Sequence, residues 1–563
     1  MFASGPVSRR TAIRILGATV GAVSLLACAT PAPSVSPTSA SSATAQPSGQ
    51  AQQTAKPAAN PVEDVPAWTP LNAGGQQPKP GGTLRMGIVG GLTGTIEAQE
   101  FAPSTADYVF AMFDKLVVRD ANDQSVPQLA EKWDVSDDLK THTFTLRKGV
   151  QFHSGHELTS DDIKFNIMRA GMPTIQFMHF FNFVKWWSAI DTPDKYTVVL
   201  RSDQPRPISG VLDFLDRLNI VDPQNYASDI AANTNAVGTG PYKQAEYVPG
   251  DHINLTKNPD YWQSGKPYLD GINVKFFADL QSLVTALEAG ALDFAMNPPG
   301  RDVVRLESDP RFVHIRNKNS GLWYDTYANT TLPPLNNKYV RQALQFAMDR
   351  ERWIQEGLGG LGTPRSLPWA PNSLAYDKAR GNYFAFDLDK ARSLIQQSGL
   401  SNVEFDFDYI TNTFPEFADF APIFQRDLAS IGVKCNLKAV DGTVFAQITN
   451  LQNRTFGLAS QGNCCTAMRE GYILGLIGLA FNPAGNQPGF QDPQYASILS
   501  SLPTEPDESR RVALYQQLND ILLDQAFAVG LVGRTQDHLL SSKVHGVTYT
   551  MHESTDLTGV WLA

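Results

Sequence analysis

The sequence of 563 residues has few of the short motifs that carry enzyme chemistry, and their absence excludes several classes of protein. It contains no phosphate-binding loop, no His-Glu-x-x-His and no Gly-x-Ser-x-Gly, which are signatures of nucleotide sites, zinc proteases and α/β-hydrolases. His153, His156 and Glu157 stand in a different order and follow a strand, so we expect no metal there. With no convergent nucleophile and base, the sequence predicts a protein that is not an enzyme and that carries no cofactor.

Positive charge is also in deficit, because 46 Lys and Arg residues face 56 Asp and Glu residues, for a net charge of −10. An acidic protein is repelled by the phosphate backbone, which argues against nucleic acid as a partner. Hydrophobic residues make up 42% of the chain. That share is enough for the cores of two or three ordinary domains.

Cysteine is scarce, since the chain contains only Cys28, Cys435, Cys464 and Cys465. Around Cys435, apolar and polar residues alternate over residues 433–439. This alternation predicts a half-buried strand with Cys435 as a free thiol on its apolar face. The role of the adjacent pair, Cys464 and Cys465, depends on the compartment that the protein occupies.

The first residues indicate that compartment. Arg9 and Arg10 precede an apolar stretch that ends in Leu-Leu-Ala-Cys28. The arginine pair resembles a twin-arginine export signal, with Ala12 where that signal prefers Phe, and the end of the stretch resembles a bacterial lipobox. At about fifteen residues the stretch is short for a transmembrane anchor, which is the alternative interpretation. We expect residues 1–28 to be an export signal and acylated Cys28 to anchor the protein at the cell envelope.

Residues 29–78 have the composition of a disordered tether. From residue 29 to residue 62 the chain is almost all Ala, Pro, Ser, Thr and Gln, with Lys56 as the only charge. Such a segment cannot bury enough apolar surface to fold. A flexible coil of about fifty residues spans about 40 Å, so the tether is predicted to hold a globular body away from the membrane.

Beyond residue 79, helix and strand patterns alternate. Thr159 and Asp162 form a predicted capping box, and Gly399 is a predicted helix end. Periodicity predicts strands at residues 142–147, 405–410 and 433–439, and helices after Thr159, after Asp387, within 339–349 and within 506–525. Trp186 and Trp187 are predicted to be core residues. The alternation favours α/β lobes.

Five segments resemble, in this order, the family 5 extracellular solute-binding proteins of ABC importers, the class of the dipeptide and oligopeptide receptors. They are GGTLRMGI from residue 81, VPQLAEKWDVSDDLKTHTFTLRKGVQFHSGHELTSDDIKF from 126, VGTGPYKQAEYVPGDHINLTKNPDYW from 237, LVTALEAGALDFA from 283 and NNKYVRQALQFAMDRERW from 336. The resemblance implies a two-lobe α/β fold of the periplasmic-binding-protein type (type II, cluster C). It also implies a ligand that is enclosed between the lobes and not chemically changed.

The resemblance also implies domain boundaries. Lobe one is expected at residues 79–325 with a small inserted domain at about 122–235, lobe two at 326–529, and a return to lobe one at 530–563. Two hinge crossings are expected around residues 322–328 and 526–534, where a few residues absorb the rotation of the lobes.

Several prominent residues are expected to stabilise the scaffold rather than to bind ligand. His153, His156 and Asp161 resemble parts of a strand, turn and capped helix of the inserted domain. Gly238 and Gly240 lie in a Gly-Thr-Gly-Pro-Tyr turn that needs glycine.

Residues 456–466 differ from the pattern of the peptide-binding members at the position that matters most for a peptide. In those members the segment ends in an Asp that receives the terminal ammonium of the peptide, whereas here Asn463 replaces a Trp and Thr466 replaces the Asp. Burying an ammonium without its counter-charge costs about 3 to 5 kcal/mol, a factor above about a hundred in affinity. Unless Glu470 or another acid substitutes, a free peptide N-terminus is a poor ligand.

The same loop contains the cysteine pair. We expect Cys464 and Cys465 to line the ligand pocket, where a vicinal disulfide would form a stiff apolar surface. A purely structural pair, pairing with Cys435 and metal binding are the alternatives; no thiolate-stabilising motif favours redox catalysis. Near the first crossing, Trp323, Tyr324 and Tyr327 are candidate ligand contacts, and hinge core is the equal alternative.

The sequence therefore predicts a monomeric substrate-binding component of an ABC importer, delivering a peptide-like solute to a permease and ATPase. The predicted ligand-binding residues are Trp323, Tyr324, Tyr327, Asn463, Cys464, Cys465 and Thr466. An oligosaccharide or another uncharged organic solute is the alternative cargo. An extracytoplasmic enzyme and a sensor or adhesin are the alternatives of another class.

Overall fold

A computed structural model describes most of the chain beyond the tether. The described residues are 63–64, 77–91, 96, 99, 106–120, 124–172, 175, 180–226, 235–317, 320–411, 414–463, 468–478, 480–550 and 554–563. All described residues belong to one compact unit, Ala59–Ala563. The export signal and Cys28 therefore lie outside the described residues. Within those residues, no helix combines the length and the apolar character needed to cross a membrane.

The strands of the described unit are short to medium in length. In chain order they are β1 (Glu63–Asp64), β2 (Thr83–Val89), β3 (Val117–Arg119), β4 (Ser125–Pro127), β5 (Ala130–Val135), β6 (Thr141–Leu146), β7 (Ala189–Asp194), β8 (Thr197–Arg201), β9 (Tyr242–Val248), β10 (His252–Lys257), β11 (Gly271–Phe277), β12 (Phe294–Met296), β13 (Phe312–Asn317), β14 (Trp323–Ala328), β15 (Thr363–Pro364), β16 (Val403–Ile410), β17 (Val433–Val440), β18 (Leu458–Asn463), β19 (Ala528–Gly533), β20 (Gln536–Ser541), β21 (Val544–His545), β22 (Thr548–Tyr549), β23 (Thr555–Asp556) and β24 (Trp561–Leu562).

The helices lie between these strands. In chain order they are α1 (Ala106–Phe110), α2 (Ser160–Ala170), α3 (Phe180–Val184), α4 (Ile208–Leu215), α5 (Leu280–Glu288), α6 (Gly300–Leu306), α7 (Lys338–Phe346), α8 (Arg350–Gly357), α9 (Leu388–Gln397), α10 (Phe417–Ser430), α11 (Gly442–Ile448), α12 (Tyr472–Ile477), α13 (Pro493–Ser501) and α14 (Glu508–Gln525). Two short 3₁₀ helices span Lys378–Arg380 and Leu502–Thr504.

Three larger sheets organise the unit. The eight-stranded sheet has the order β1-β13-β20-β12-β2-β11-β10-β9, the six-stranded sheet β15-β19-β14-β18-β16-β17, and the four-stranded sheet β5-β6-β8-β7. The four-stranded and six-stranded sheets share one continuous hydrophobic cluster, which includes Trp186 and Trp187. The eight-stranded sheet contributes to two other clusters. The inserted region thus packs against the part of the chain that is expected to form lobe two.

The local sequence signals are confirmed by the structure. Thr159 precedes α2, and the carboxylate of Asp162 accepts hydrogen bonds from the Thr159 backbone N–H and hydroxyl, both at 2.7 Å. Asp387 accepts from the Lys390 N–H at the start of α9, and Gly399 follows with a φ of +71°. In β17, Cys435 is a buried free thiol, and burial raises its pKa to about 12.

The crossings between the two large sheets differ slightly from the predicted positions. β14 pairs with β18 and β19 in the six-stranded sheet, whereas β13 and β20 pair in the eight-stranded sheet. The chain therefore crosses between Asn317 and Trp323 and again between Gly533 and Gln536, just outside the bodies of β14 and β19. The predicted ranges 322–328 and 526–534 instead cover those two strands. The sequence of a strand does not show at which of its ends the chain crosses to the other sheet. The exact domain boundaries stay a prediction.

Two residues of the predicted tether pair with the eight-stranded sheet. Glu63 and Asp64 lie within residues 29–78, yet they form β1 at the edge of the eight-stranded sheet, parallel to β13. Main-chain pairing of this kind uses no side-chain burial, so the composition of the segment could not predict it.

Candidate functional site

Four of the predicted ligand-binding residues lie on two neighbouring strands of the six-stranded sheet. Trp323, Tyr324 and Tyr327 are on β14, and Asn463 ends β18. The antiparallel register places Trp323 directly beside Asn463. The fold therefore brings the first crossing and the start of the cysteine loop together. The side chain of Asn463 and all of Cys464, Cys465 and Thr466 lie outside the described part of the chain, and their roles stay predictions.

Trp323 and Tyr327 occupy the interior of the six-stranded sheet unit. Trp323 is 0% exposed and Tyr327 is 1% exposed. The Trp323 ring centroid lies 5.9 Å from that of Phe481, and the Tyr327 ring meets Phe456 edge-on at 5.5 Å. These contacts are those of core residues and leave no open ring face. Their predicted part in ligand binding is untested by these contacts and stays a prediction.

Tyr324 belongs to an aromatic cluster formed by Tyr324, Trp353, Phe414, Phe417 and Phe420. The ring centroid of Trp353 lies 4.9 Å from Tyr324, 5.4 Å from Phe417 and 4.6 Å from Phe420. Burial raises the pKa of Tyr324 well above its ordinary value. The aromatic cluster fixes the strand that leads out of the first crossing onto the helices α8 and α10.

A positive charge and a negative charge lie at the crossings, beside this cluster. The Arg534 guanidinium stands over the Tyr324 ring at 4.8 Å from its centroid and 3.8 Å from the Glu416 carboxylate. The Arg534 backbone N–H donates to the Leu322 carbonyl at 2.9 Å, which joins the two crossings. Sequence reasoning missed this pair, although Arg534 is the first charged residue after the apolar run of β19.

Glu470, the candidate substitute for the missing Asp, already binds other side chains of the protein. Its side chain is 0% exposed. One carboxylate oxygen accepts from Arg511 Nε at 3.1 Å and from the Ser209 hydroxyl at 2.6 Å, and the other accepts from the Tyr515 hydroxyl at 2.8 Å. A carboxylate so neutralised offers little to a ligand ammonium, because its counter-charge is supplied by the protein.

The histidine turn, residues 153–157 together with Gly238 and Gly240, is built as scaffold. His153 Nε2 donates to the Gly240 carbonyl at 3.0 Å, and the Gly238 N–H lies 3.4 Å from His153 Nδ1. Burial lowers the pKa of His153 to about 4, which keeps the imidazole neutral. A Cβ on either glycine would lie within 2.4 Å of Met112 or Phe113 atoms. The turn needs glycine for this close approach rather than for a left-handed φ.

His156 and Asp161 are also tied to the scaffold. His156 Nδ1 lies 3.4 Å from the Asp222 carboxylate, and Asp161 accepts from the Thr192 hydroxyl at 2.6 Å. In the residues that the structure describes, no group of three or more His, Cys, Asp and Glu side chains is arranged to hold a metal ion.

The chain is similar in sequence to known bacterial binding proteins. A sequence profile of the bacterial extracellular solute-binding proteins, family 5 Middle, matches residues 124–468. A putative ABC transporter peptide-binding protein of Brucella ovis is 28% identical over 429 residues, which cover 73% of this chain and 79% of that protein. Heme-binding protein A of Haemophilus influenzae is 25% identical over 430 residues, covering 71% of this chain and 77% of its own.

Solved structures agree with the predicted architecture. The periplasmic binding protein AgaA from A. tumefaciens R10, in complex with agropinic acid, has a TM-score of 0.72 at 26% identity and covers 86% of this chain and 99% of its own. The oligopeptide-binding protein AppA of Bacillus subtilis, in complex with a nonapeptide, has a TM-score of 0.72 at 20% identity, covering 86% and 100%. These likenesses confirm the α/β fold of two lobes.

Proposed function

Because the chain belongs to the bacterial extracellular solute-binding proteins of family 5 and is the substrate-binding component of an ABC importer, we propose that its cargo is a peptide-like solute without a free N-terminal ammonium. The protein acts outside the cytoplasm, as its family does. Peptide-like cargo is supported by relatives that are described as peptide-binding proteins.

The proposal that the cargo lacks a free ammonium rests on Glu470, whose carboxylate already binds other side chains of the protein. The position of the expected acid is Thr466, and the next carboxylate along the chain, four residues later, is buried against Arg511 and Tyr515. Glu416, at the crossings, faces Arg534. An ammonium enclosed without its own carboxylate would lose about 3 to 5 kcal/mol of binding free energy. A blocked or absent amino terminus avoids that loss.

An uncharged organic solute, such as an oligosaccharide, is the second candidate cargo. The missing acid favours it equally, and the structurally similar protein AgaA is known in complex with agropinic acid, which is not a peptide. It is the second candidate because relatives of the chain are described as peptide-binding proteins.

The proposal also includes a membrane anchor and transporter partners. Acylated Cys28 would hold the monomeric protein at the membrane surface, and the closed lobes would deliver the cargo to the permease and its ATPase. The protein would release its cargo chemically unchanged. Cys28→Ala should move the protein from the membrane fraction to the soluble fraction, and continued membrane association would contradict the lipid anchor.

Matched peptides test the cargo. The full chain is heated with a panel of peptides, each supplied with a free and with an N-acetylated amino end. A peptide at a hundred times its Kd stabilises the native state by about 2.7 kcal/mol and raises Tm. We expect acetylated members of some pairs to raise Tm and their free counterparts to do so less. Stabilisation by free peptides and not by acetylated ones would contradict the proposal.

Thr466→Asp provides the reverse experiment. Restoring the carboxylate should strengthen binding of a free-amino peptide by about a hundredfold relative to its acetylated partner. Thr466→Asn is the matched control, because it has a similar shape without the charge. If the ratio of the two affinities is the same in both variants, residue 466 does not face the amino end of the cargo.

A further inference from the structure

The helix α4 of the inserted region contacts the segment that follows the cysteine loop. The Ser209 hydroxyl donates to the Glu470 carboxylate at 2.6 Å, and the Glu470 backbone N–H donates to the Asp213 carboxylate at 2.9 Å. The Arg469 N–H lies 3.4 Å from the other Asp213 oxygen. These bonds join residues on the four-stranded side of the molecule to residues that follow β18 of the six-stranded sheet.

Each side of this contact carries its own counter-charge. Asp213 is ion-paired with Arg119, and both side chains are at most 3% exposed. Glu470 is ion-paired with Arg511, which is on α14 of its own side, and both are at most 4% exposed. If the two sides separate, neither carboxylate loses its ion pair. Separating the two sides therefore does not incur the free-energy penalty of an unpaired buried charge. The polar part of this contact can thus form and break without leaving a buried charge unpaired.

The two sides approach each other closely at Gly210 of α4. A Cβ built on Gly210 of α4 would lie 2.0 Å from the hydroxyl oxygen of Tyr472 and 3.2 Å from Tyr472 Cζ. Gly210 does not have a positive φ, so alanine suits its backbone and is the better helix former. The glycine is thus required by the partner surface and not by the helix in which it lies.

We propose that α4, through Ser209, Gly210 and Asp213, is a closure latch that holds the segment of Arg469 to Tyr472 when the lobes close. The latch rests on the proposed function, since it deepens how cargo is enclosed. Arg469 and Glu470 follow the loop that contains Asn463 to Thr466. By holding the end of that loop, the inserted domain positions the residues predicted to face the cargo. The inserted domain thereby takes part in binding through its contact with this segment.

Gly210→Ala in the full chain tests the latch without any cargo. The added methyl group should meet the Tyr472 hydroxyl only when the latch is closed. We expect the backbone amides of residues 468–474 to exchange with deuterium about tenfold faster than in the wild type, while Tm stays the same or rises. Small-angle scattering should show a larger radius of gyration.

Tyr472→Phe supplies the rescue and the control. The Tyr472 hydroxyl is buried and has no hydrogen-bond partner among the described residues, so its removal alone should change exchange little. In Gly210→Ala with Tyr472→Phe, the nearest obstructing atom is gone, and exchange should return to within about threefold of the wild type.

Two results would overturn the latch. One is that the backbone amides of residues 468–474 exchange with deuterium at the same rate in the wild type and in Gly210→Ala, whether that rate is slow or fast in both. The other is faster exchange throughout the chain with a lower Tm, which would make the contact a permanent part of the fold. Neither result depends on which cargo binds, so the latch and the cargo proposal can fail separately.

Discussion

The aromatic cluster around Trp353 and the histidine turn around His153 are both buried scaffolds, but they are held by different forces. In the aromatic cluster, rings pack at centroid distances of 4.6 to 5.4 Å around Trp353. In the histidine turn, a neutral imidazole uses Nε2 as a donor to Gly240 and presents Nδ1 to the N–H of Gly238. Ring packing does not depend on proton concentration, whereas this arrangement of donor and acceptor does. The difference predicts that the two regions respond differently to acid.

Trp353→Ala should produce the largest effect. Removal of a fully buried indole leaves a cavity, and the free energy of unfolding should fall by about 3 to 5 kcal/mol. Urea unfolding at pH 7.5 and at pH 5 should give the same loss at both pH values. Trp353→Phe is the control and should lose less, since it keeps most of the packing. A loss confined to one pH would contradict the distinction between the two regions.

Acid, acting on the histidine turn, should lower the free energy of unfolding by nearly as much as Trp353→Ala does. The pKa of His153 is lowered to about 4 by burial, so the unfolded chain binds a proton at higher pH than the native protein. The stabilisation is full above about pH 6.5 and is lost as the pH falls towards 4, by about 3 kcal/mol for this group.

His153→Gln should reduce that pH dependence, measured by urea unfolding from pH 7.5 to pH 4. Part of the slope should persist, because His142 and His538 also have lowered pKa values. His252→Gln is the control, since the pKa of that half-buried imidazole is raised and its removal should not reduce the acid loss. An unchanged slope in His153→Gln would show that another group controls acid stability.

Thr159→Ala should have the smallest effect of the three. Loss of the threonine side chain from the capping box of α2 should lower the free energy of unfolding by about 1 kcal/mol. Thr159→Ser keeps a hydroxyl and should lose only part of that amount. Equal losses in the two variants would mean that the methyl group, and not the hydroxyl, stabilises the start of α2.

Local features of the fold could be predicted because their causes are local. Asp387 and Gly399 begin and end α9 through bonds and dihedral angles within a few residues. In β16, Phe405, Phe407 and Tyr409 alternate with polar residues, and all three are less than 9% exposed. Period and capping residues are sufficient for elements of this kind.

The latch could not be predicted because its partners are far apart in the sequence. Asp213 and Glu470 are 257 residues apart, and their meeting depends on how the inserted region packs against the six-stranded sheet. The absence of an acid at residue 466 could be recognised from the sequence. The engagement of Glu470 with Arg511 and Tyr515 required the structure.

The positions of β19 and β20 constrain how this protein is made. β19 lies between β15 and β14, and β20 lies between β13 and β12, so the last part of the chain supplies an interior strand to each large sheet. While the ribosome still holds the residues after α14, both sheets have a gap at the place of a missing strand. Neither sheet can be completed during synthesis of the preceding residues. Final folding must therefore await these two late strands, and a protein truncated after Gln525 would have unpaired strand edges in both large sheets, which favour aggregation.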